Sequence, residues 1–119
     1  MNFRVESSSP RDGVSIVELA GEVDLYTAPE VKRELLKVIE DGAQRVVVDL
    51  TETTFIDSTT LGVLLGGLKR LRAVDGEIVL VCSDRNIRKI FEITLLDRVF
   101  PIVETAEEAL ERGDDRVEA

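Results

Sequence analysis

The sequence predicts a single α/β domain with a mostly parallel, mixed sheet of about five strands and about four helices. Residues 46–50 and 78–82 form two nearly continuous apolar runs, which is the pattern of strands that helices cover on both faces. Leucines recur at helical spacing between the two runs, so this part of the chain predicts a βαβ unit. With 119 residues and a 44% hydrophobic content, the chain suits one packed domain and is too short for two.

The first third of the chain predicts two short strands and a helix. Phe3 and Val5 alternate with polar neighbours, residues 14–20 are rich in branched side chains, and turn-forming residues 10–13 separate the two segments. The helix is expected over residues 27–42, and the glycine at the end of that range closes it. Its signals are a capping-box pair, a proline suited to the first turn, and four apolar residues on one face: Thr27 with Glu30, Pro29, and Val31, Leu35, Val38 and Ile39.

The predicted βαβ unit has clear internal boundaries. After the strand at residues 46–50, the leucines that share one helical face are Leu61, Leu64, Leu65, Leu68 and Leu71. Asp75 and Gly76 mark the exit from this helix, and the next strand follows at residues 78–82. Cys82, the only cysteine, ends that apolar run and is predicted to be a buried structural thiol.

The last third of the chain predicts a helix, an edge strand and a short final helix. Ser83 and Asp84 are good starting residues for a helix whose apolar stripe consists of Ile87, Ile90 and Phe91. Residues 99–103 predict a final strand, which Pro101 confines to an edge of the sheet.

A second capping box, Thr105 with Glu108, predicts the short final helix. Residues 112–119 are charged and featureless, so we expect a disordered tail there. No internal repeat or linker divides the rest of the chain, and the predicted domain covers residues 1–111.

The charge of the chain excludes several classes of partner. With 24 acidic and 15 basic residues, the formal net charge is -9, which repels nucleic acid and anionic membrane surfaces. The longest apolar or glycine run, residues 61–68, is far shorter than the roughly 20 residues of a membrane-spanning helix. Residues 1–13 lack the apolar core of a signal peptide. We therefore expect a soluble cytoplasmic protein that binds neither nucleic acid nor membranes.

The sequence offers little for catalysis. It contains no histidine, which removes the usual general base and the commonest metal ligand. Gly62, Gly67 and Lys69 resemble a phosphate-binding loop only loosely, since the lysine is displaced by one position and the run lies inside a predicted helix. Asp49 ends a strand like a phosphoacceptor aspartate, but the first strand lacks the acidic pair that would hold Mg²⁺, so a loop anchor is expected. The sequence predicts no enzyme and no metal or cofactor site.

A polar turn marks the point where the central strand meets the following helix. Asp57, Ser58 and Thr59 stand there, and on the residues alone a helix cap is the favoured explanation. Three glycines, each costing about 1 kcal/mol relative to alanine, interrupt the same helix: Gly62, Gly66 and Gly67. Either the glycines permit close packing against the sheet, or they leave a flat surface on which another protein can lie.

Four segments resemble, in sequence and order, the STAS domains of bacterial anti-sigma factor antagonists. They are Gly-Glu-Val-Asp at residues 21–24, Val-Val-Val-Asp-Leu at 46–50, Phe-Ile-Asp-Ser-Thr at 55–59 and Leu-Gly at 61–62. The resemblance covers nearly the whole chain, and the Asp-Ser-Thr element at this place is fairly specific to the family. One departure is Thr60, where the family pattern often has glycine.

The resemblance implies a partner-switching regulator of transcription in a stress response. Such a protein binds an anti-sigma factor that is also an ATP-dependent serine kinase, and thereby frees a sigma factor. The kinase would phosphorylate Ser58, with Thr59 as the fallback, and a PP2C-type phosphatase would restore the complex. Asp24 is implied to lie near this serine. The expected partner-binding residues are Asp24, Asp57, Ser58, Thr59, Thr60, Gly62 and Gly66.

Two alternative functions remain open at this point. One is an adaptor STAS domain in another signalling or transport assembly, in which the serine goes unused. The other is a small nucleotide-binding domain. Co-purification of an ATP-binding kinase favours the antagonist, whereas tight binding of ATP or GTP without a partner favours the nucleotide-binding domain.

Overall fold

The computed structural model describes residues 3–112, which form one α/β domain with a five-stranded mixed sheet and four α-helices, as the sequence predicts. The strands are β1 (Arg4–Arg11), β2 (Val14–Val23), β3 (Arg45–Ile56), β4 (Glu77–Val81) and β5 (Ile102–Val103). The helices are α1 (Ala28–Glu40), α2 (Ser58–Arg72), α3 (Arg85–Ile93) and α4 (Ala106–Glu111). Residues 113–119 lie outside the described part, so the disordered tail stays a prediction.

The sheet has the strand order β1-β2-β3-β4-β5, so every strand pairs with its neighbours in sequence. β1 runs antiparallel to β2, and all other neighbouring strands are parallel. β3 is therefore the central strand. β5, the strand that follows Pro101, lies at an edge, as predicted.

Helices cover both faces of the sheet, which explains the continuous apolar runs of β3 and β4. Val46, Val48, Ile78 and Leu80 belong to the main core, together with apolar residues of α1, α2 and α3. On the other face, a smaller core joins Val47, Val79 and Val81 to Ala109 of α4. Among the helices of residues 3–112, none has both the length and the apolar character needed to span a membrane.

Two arginines hold the last turn of α4 on the sheet. The guanidinium groups of Arg11 and Arg45 donate hydrogen bonds to the carbonyl oxygen of Leu110 at 2.8 and 3.2 Å. The second predicted capping box is confirmed at the other end of this helix. Thr105 Oγ1 accepts from the N–H of Glu108 at 3.1 Å, and the Glu108 carboxylate accepts from the N–H of Thr105 at 3.1 Å.

The capping box predicted for α1 is wrong. The helix begins at Ala28, and the hydroxyl of Thr27 makes no capping bond to it. That hydroxyl instead donates to the carbonyl oxygen of Glu22 at 3.0 Å and accepts from the N–H of Asp24 at 2.9 Å. Thr27 closes the turn that precedes α1, so its side chain serves the loop and not the helix.

The last strand is shorter than predicted. β5 covers Ile102–Val103 only, because the chain before it makes a tight 3-10 turn at Leu96–Arg98. Leu95 enters this turn in the left-handed region at φ 63°, and the N–H of Phe100 donates to the carbonyl oxygen of Leu96 at 3.0 Å. Part of the predicted strand, 99–103, is thus used to close the turn.

β3 is longer than the predicted strand at residues 46–50 and continues to Ile56. Its pairing with β4 ends where Asp49 faces Val81, and its last residues pair with β2 alone. Asp49 lies within β3, where its carboxylate accepts from the N–H of Thr51 at 2.9 Å. It anchors a strand irregularity and not a loop.

Candidate functional site

The candidate site lies where β2 and β3 end side by side. Val23 and Ile56 are partners in the parallel ladder, so the residues that follow them, Asp24 and Asp57, leave the sheet at the same edge. β3 reaches this edge because it extends beyond its pairing with β4. The structure thus brings the loop after β2 next to the first turn of α2.

Thr60 fixes these two segments to each other. Its side chain is fully buried, and Oγ1 donates a hydrogen bond to the carbonyl oxygen of Val23 at 2.7 Å. The departure from the family pattern at this position therefore adds a contact within the fold. A buried hydroxyl is also inaccessible to a partner. Thr60 therefore holds the neighbouring partner-binding candidates in place and does not itself face a partner.

Asp57, and not Ser58, caps α2. Oδ1 of Asp57 accepts hydrogen bonds from the N–H groups of Thr59 at 3.0 Å and Thr60 at 3.2 Å. Ser58 is the first residue of the helix and is exposed, and within residues 3–112 its hydroxyl has no hydrogen-bond partner. The cap interpretation of the polar turn is therefore right for Asp57 and wrong for Ser58.

Asp24 is half-buried and shapes the loop that carries it. Oδ1 accepts from the N–H groups of Tyr26 at 2.9 Å and Thr27 at 3.1 Å, which gives an Asx-type turn. The carboxylate stands at the same sheet edge as Asp57 but is committed to the backbone of its own loop.

Three exposed apolar side chains accompany the polar ones, and the sequence analysis missed them. Leu25 is 60% exposed, Tyr26 is 85% exposed, and Phe55, near the end of β3, is 47% exposed. Exposed aromatic and aliphatic groups beside a polar turn are typical of a protein-binding surface. The sequence does contain a signal for this exposure. Leu25 and Tyr26 lie in the loop between a predicted strand and a predicted helix, where apolar side chains are not needed to form the core.

The glycines of α2 serve two different purposes. A Cβ added at Gly67 would lie 2.6 Å from Cδ2 of Leu35, so this glycine allows α1 and α2 to pack closely. A Cβ added at Gly62 or Gly66 would meet no other atom within 4 Å. The close-packing explanation therefore holds for Gly67, although its closest neighbour belongs to α1 and not to the sheet. It fails for Gly62 and Gly66, which leave an open surface. All three lie inside α2, which also removes the phosphate-loop interpretation.

The open surface continues into a groove of about 720 Å³ between α1 and α2, which we call the α1–α2 groove. Its lining includes Gly62, Val63 and Gly66, together with Thr59, the residue that follows Ser58. The groove and the polar turn thus form one continuous region on the face of the domain that carries α1 and α2.

Residues 3–112 offer neither a metal site nor a reactive thiol. No group of acidic or cysteine side chains in this part of the chain is arranged to hold a metal ion. Cys82 is fully buried, as predicted, and burial raises the pKa of its thiol above the ordinary value. A buried, protonated thiol is a poor nucleophile.

Comparison with known proteins agrees with this architecture. A family model of the STAS domain matches residues 9–109. The chain is 34% identical over 107 residues to the anti-sigma-B factor antagonist of Staphylococcus aureus (strain NCTC 8325 / PS 47), and the match covers 90% of this chain and 98% of that protein.

Solved structures share the fold. An anti-sigma factor antagonist from Mycobacterium paratuberculosis superposes with a TM-score of 0.78 at 29% identity, over 92% of each chain. The phosphorylated form of the Bacillus cell fate determinant SpoIIAA superposes with a TM-score of 0.70 at 24% identity, over 98% of this chain and 99% of that one. Since the family model matches residues 9–109 and the Staphylococcus aureus relative is 34% identical over 90% of this chain, the chain belongs to the STAS-domain family.

Proposed function

We propose that this protein is an anti-sigma factor antagonist that binds an anti-sigma factor and loses it when Ser58 is phosphorylated. The observation that carries the proposal is that Ser58 is exposed and that its hydroxyl makes no hydrogen bond to residues 3–112. The binding residues would be Asp24, Leu25, Tyr26, Asp57 and Ser58, which we call the switch surface.

Related proteins support the antagonist role. The Staphylococcus aureus relative carries the name anti-sigma-B factor antagonist, and it matches this chain over nearly its whole length. SpoIIAA, which shares the fold, has been solved in a phosphorylated form. As the family resemblance implies, the proposed partner is an anti-sigma factor with ATP-dependent serine kinase activity, and binding it would free a sigma factor. A PP2C-type phosphatase would reverse the modification, and all of these proteins would meet in the cytoplasm.

Ser58 is a better acceptor than the neighbouring threonines. Thr60 is fully buried and hydrogen-bonded, so a kinase cannot reach it. Thr59 is half-buried at the end of the α1–α2 groove. Only Ser58 in this turn is exposed, which makes the fallback at Thr59 the weaker assignment.

Phosphorylation at this position would change binding and leave the fold intact. A phosphoryl group adds about -1.5 to -2 charges, and the N-terminus of a helix accommodates negative charge with a gain of roughly 0.3–1 kcal/mol. The cap does not need the serine hydroxyl, because Asp57 supplies it. A partner surface shaped for a neutral hydroxyl would instead have to desolvate the new charge. A loss of roughly 4 kcal/mol in this way weakens binding about a thousandfold.

The test is a calorimetric titration of the purified anti-sigma factor with the unphosphorylated parent and three variants. We expect Ser58→Ala to bind like the unphosphorylated parent, and Ser58→Asp to bind much more weakly. Ser83→Asp is the matched control, since Ser83 is also exposed, adjoins an aspartate and precedes a helix. Equal affinities of Ser58→Ala and Ser58→Asp would refute the switch, as would phosphate mapped by mass spectrometry outside residues 57–60.

A further inference from the structure

We infer that the α1–α2 groove receives an acidic helix of the anti-sigma factor, next to the contact made at the switch surface. This inference rests on the proposed function and extends the interface down the length of α2. It follows from the shape of the groove, the charges at its rim and the two glycines that the fold does not require.

The groove has the shape of a helix-docking site. From Thr59 to Arg70, its lining on α2 spans about 16 Å at the rise of an α-helix, which is three turns. Gly62 and Gly66 are spaced i, i+4 and therefore lie one above the other on a single face of α2. Because neither has a side chain, another helix can approach the backbone of α2 closely along this face.

The charge of the groove is opposite to that of the whole chain. Among residues 3–112, the cationic residues that line it are Lys32 on α1 and Lys69 and Arg70 on α2, and no acidic residue of this range lines it. Within residues 3–112, these three side chains are exposed and form no ion pair or side-chain hydrogen bond. In a protein of net charge -9, such a cluster of unpaired cations selects an anionic partner segment.

The apolar part of the groove sets the second requirement for the occupant. Val63 and Leu36 line the groove together with the cations, and both are half-buried before any partner binds. A helix with apolar residues on one side and acidic residues along its flanks would bury these side chains and pair with the lysines and the arginine. The occupant is therefore an amphipathic, acidic helix.

A matched pair of charge reversals tests the inference. Lys32→Glu with Arg70→Glu reverses two groove cations. Arg33→Glu with Arg72→Glu changes the net charge equally on the same two helices, at exposed residues outside the groove. Titrating the anti-sigma factor, we expect the groove variant to bind at least about tenfold more weakly than the parent, and the control less than about threefold more weakly. The affinity of the groove variant should also depend less steeply on salt concentration than that of the parent.

A steric variant gives a second readout. Gly66→Leu introduces bulk into open space and removes a helix-breaking residue, so we expect the parent's melting temperature to be kept or raised while binding weakens. Equal affinities of the groove and control variants would overturn the inference and leave the Ser58 result standing. Sedimentation that finds a parental dimer lost in the groove variant would make a second copy the occupant and overturn it too. If the parent binds no anti-sigma factor, the proposed function fails and the inference falls with it.

Discussion

The side-chain oxygen of Thr60 lies 2.7 Å from the carbonyl oxygen of Val23, and this hydrogen bond ties the first turn of α2 to the end of β2. Thr60→Val keeps the shape of the side chain and removes the donor. Because the bond is buried, we expect the free energy of unfolding to fall by about 1–3 kcal/mol, measured by chemical denaturation. Thr59→Val is the control, since within residues 3–112 the hydroxyl of Thr59 makes no hydrogen bond, and an equal loss there would contradict the assignment.

The capping assignment predicts an unequal response at two adjacent residues. Asp57→Ala removes the acceptor for two N–H groups of α2, so we expect it to lower the free energy of unfolding by about 0.5–2 kcal/mol. Ser58→Ala removes an exposed hydroxyl and is expected to change that free energy by less than about 0.5 kcal/mol. Thermal and urea denaturation of the two variants measure the difference, and the reverse order would place the cap at Ser58.

Asp24 is expected to tolerate asparagine better than lysine. Asp24→Asn retains Oδ1, which can still accept from the N–H groups of Tyr26 and Thr27, and so keeps the loop in shape. Asp24→Lys loses this acceptor, and we expect a cost of about 1–2 kcal/mol in the free energy of unfolding. A fully exposed loop charge would show no such difference, so equal melting temperatures would refute the anchoring role.

The neighbouring glycines of α2 are expected to respond to alanine in opposite directions. Gly66→Ala places a methyl group in open space and removes a helix-breaking residue, so we expect a gain of up to about 1 kcal/mol in stability. Gly67→Ala forces a methyl group against Leu35 in the core, and we expect a net loss. Denaturation midpoints of the two variants decide the question. A loss at Gly66 would mean that this position is packed after all.

The sequence predicts the elements of this fold well wherever hydrophobic spacing decides them. The apolar runs of β3 and β4 lie where their periods place them, as do the leucines of α2 except Leu65, which is 40% exposed. The errors fall where tertiary contacts override local signals. Thr27 has capping-box spacing, yet the loop before it takes its hydroxyl. The polar end of β3 has no strand-like pattern, and it is extended because β2 offers it a partner.

Some features of the candidate site could be predicted from the sequence, and others depend on the tertiary structure. The residue types of the turn, together with the resemblance, were enough to single out Ser58 and Asp57. Which of the two caps the helix depends on where each oxygen points, and spacing does not determine this. The exposure of Tyr26 and the open faces of Gly62 and Gly66 likewise depend on how α1 packs beside α2, a relation between segments far apart in sequence.

The hydrogen bonds from Arg11 and Arg45 to the carbonyl oxygen of Leu110 limit how far the chain can be shortened from its C-terminus. A protease that cuts before Leu110 would remove the acceptor for both guanidinium groups and release a helix only six residues long. The second face of the sheet, with Val47, Val79 and Val81, would then meet water. An apolar face uncovered in this way favours aggregation. Shortened forms of the protein are therefore expected to stay monodisperse down to about residue 111 and to precipitate once Leu110 is lost.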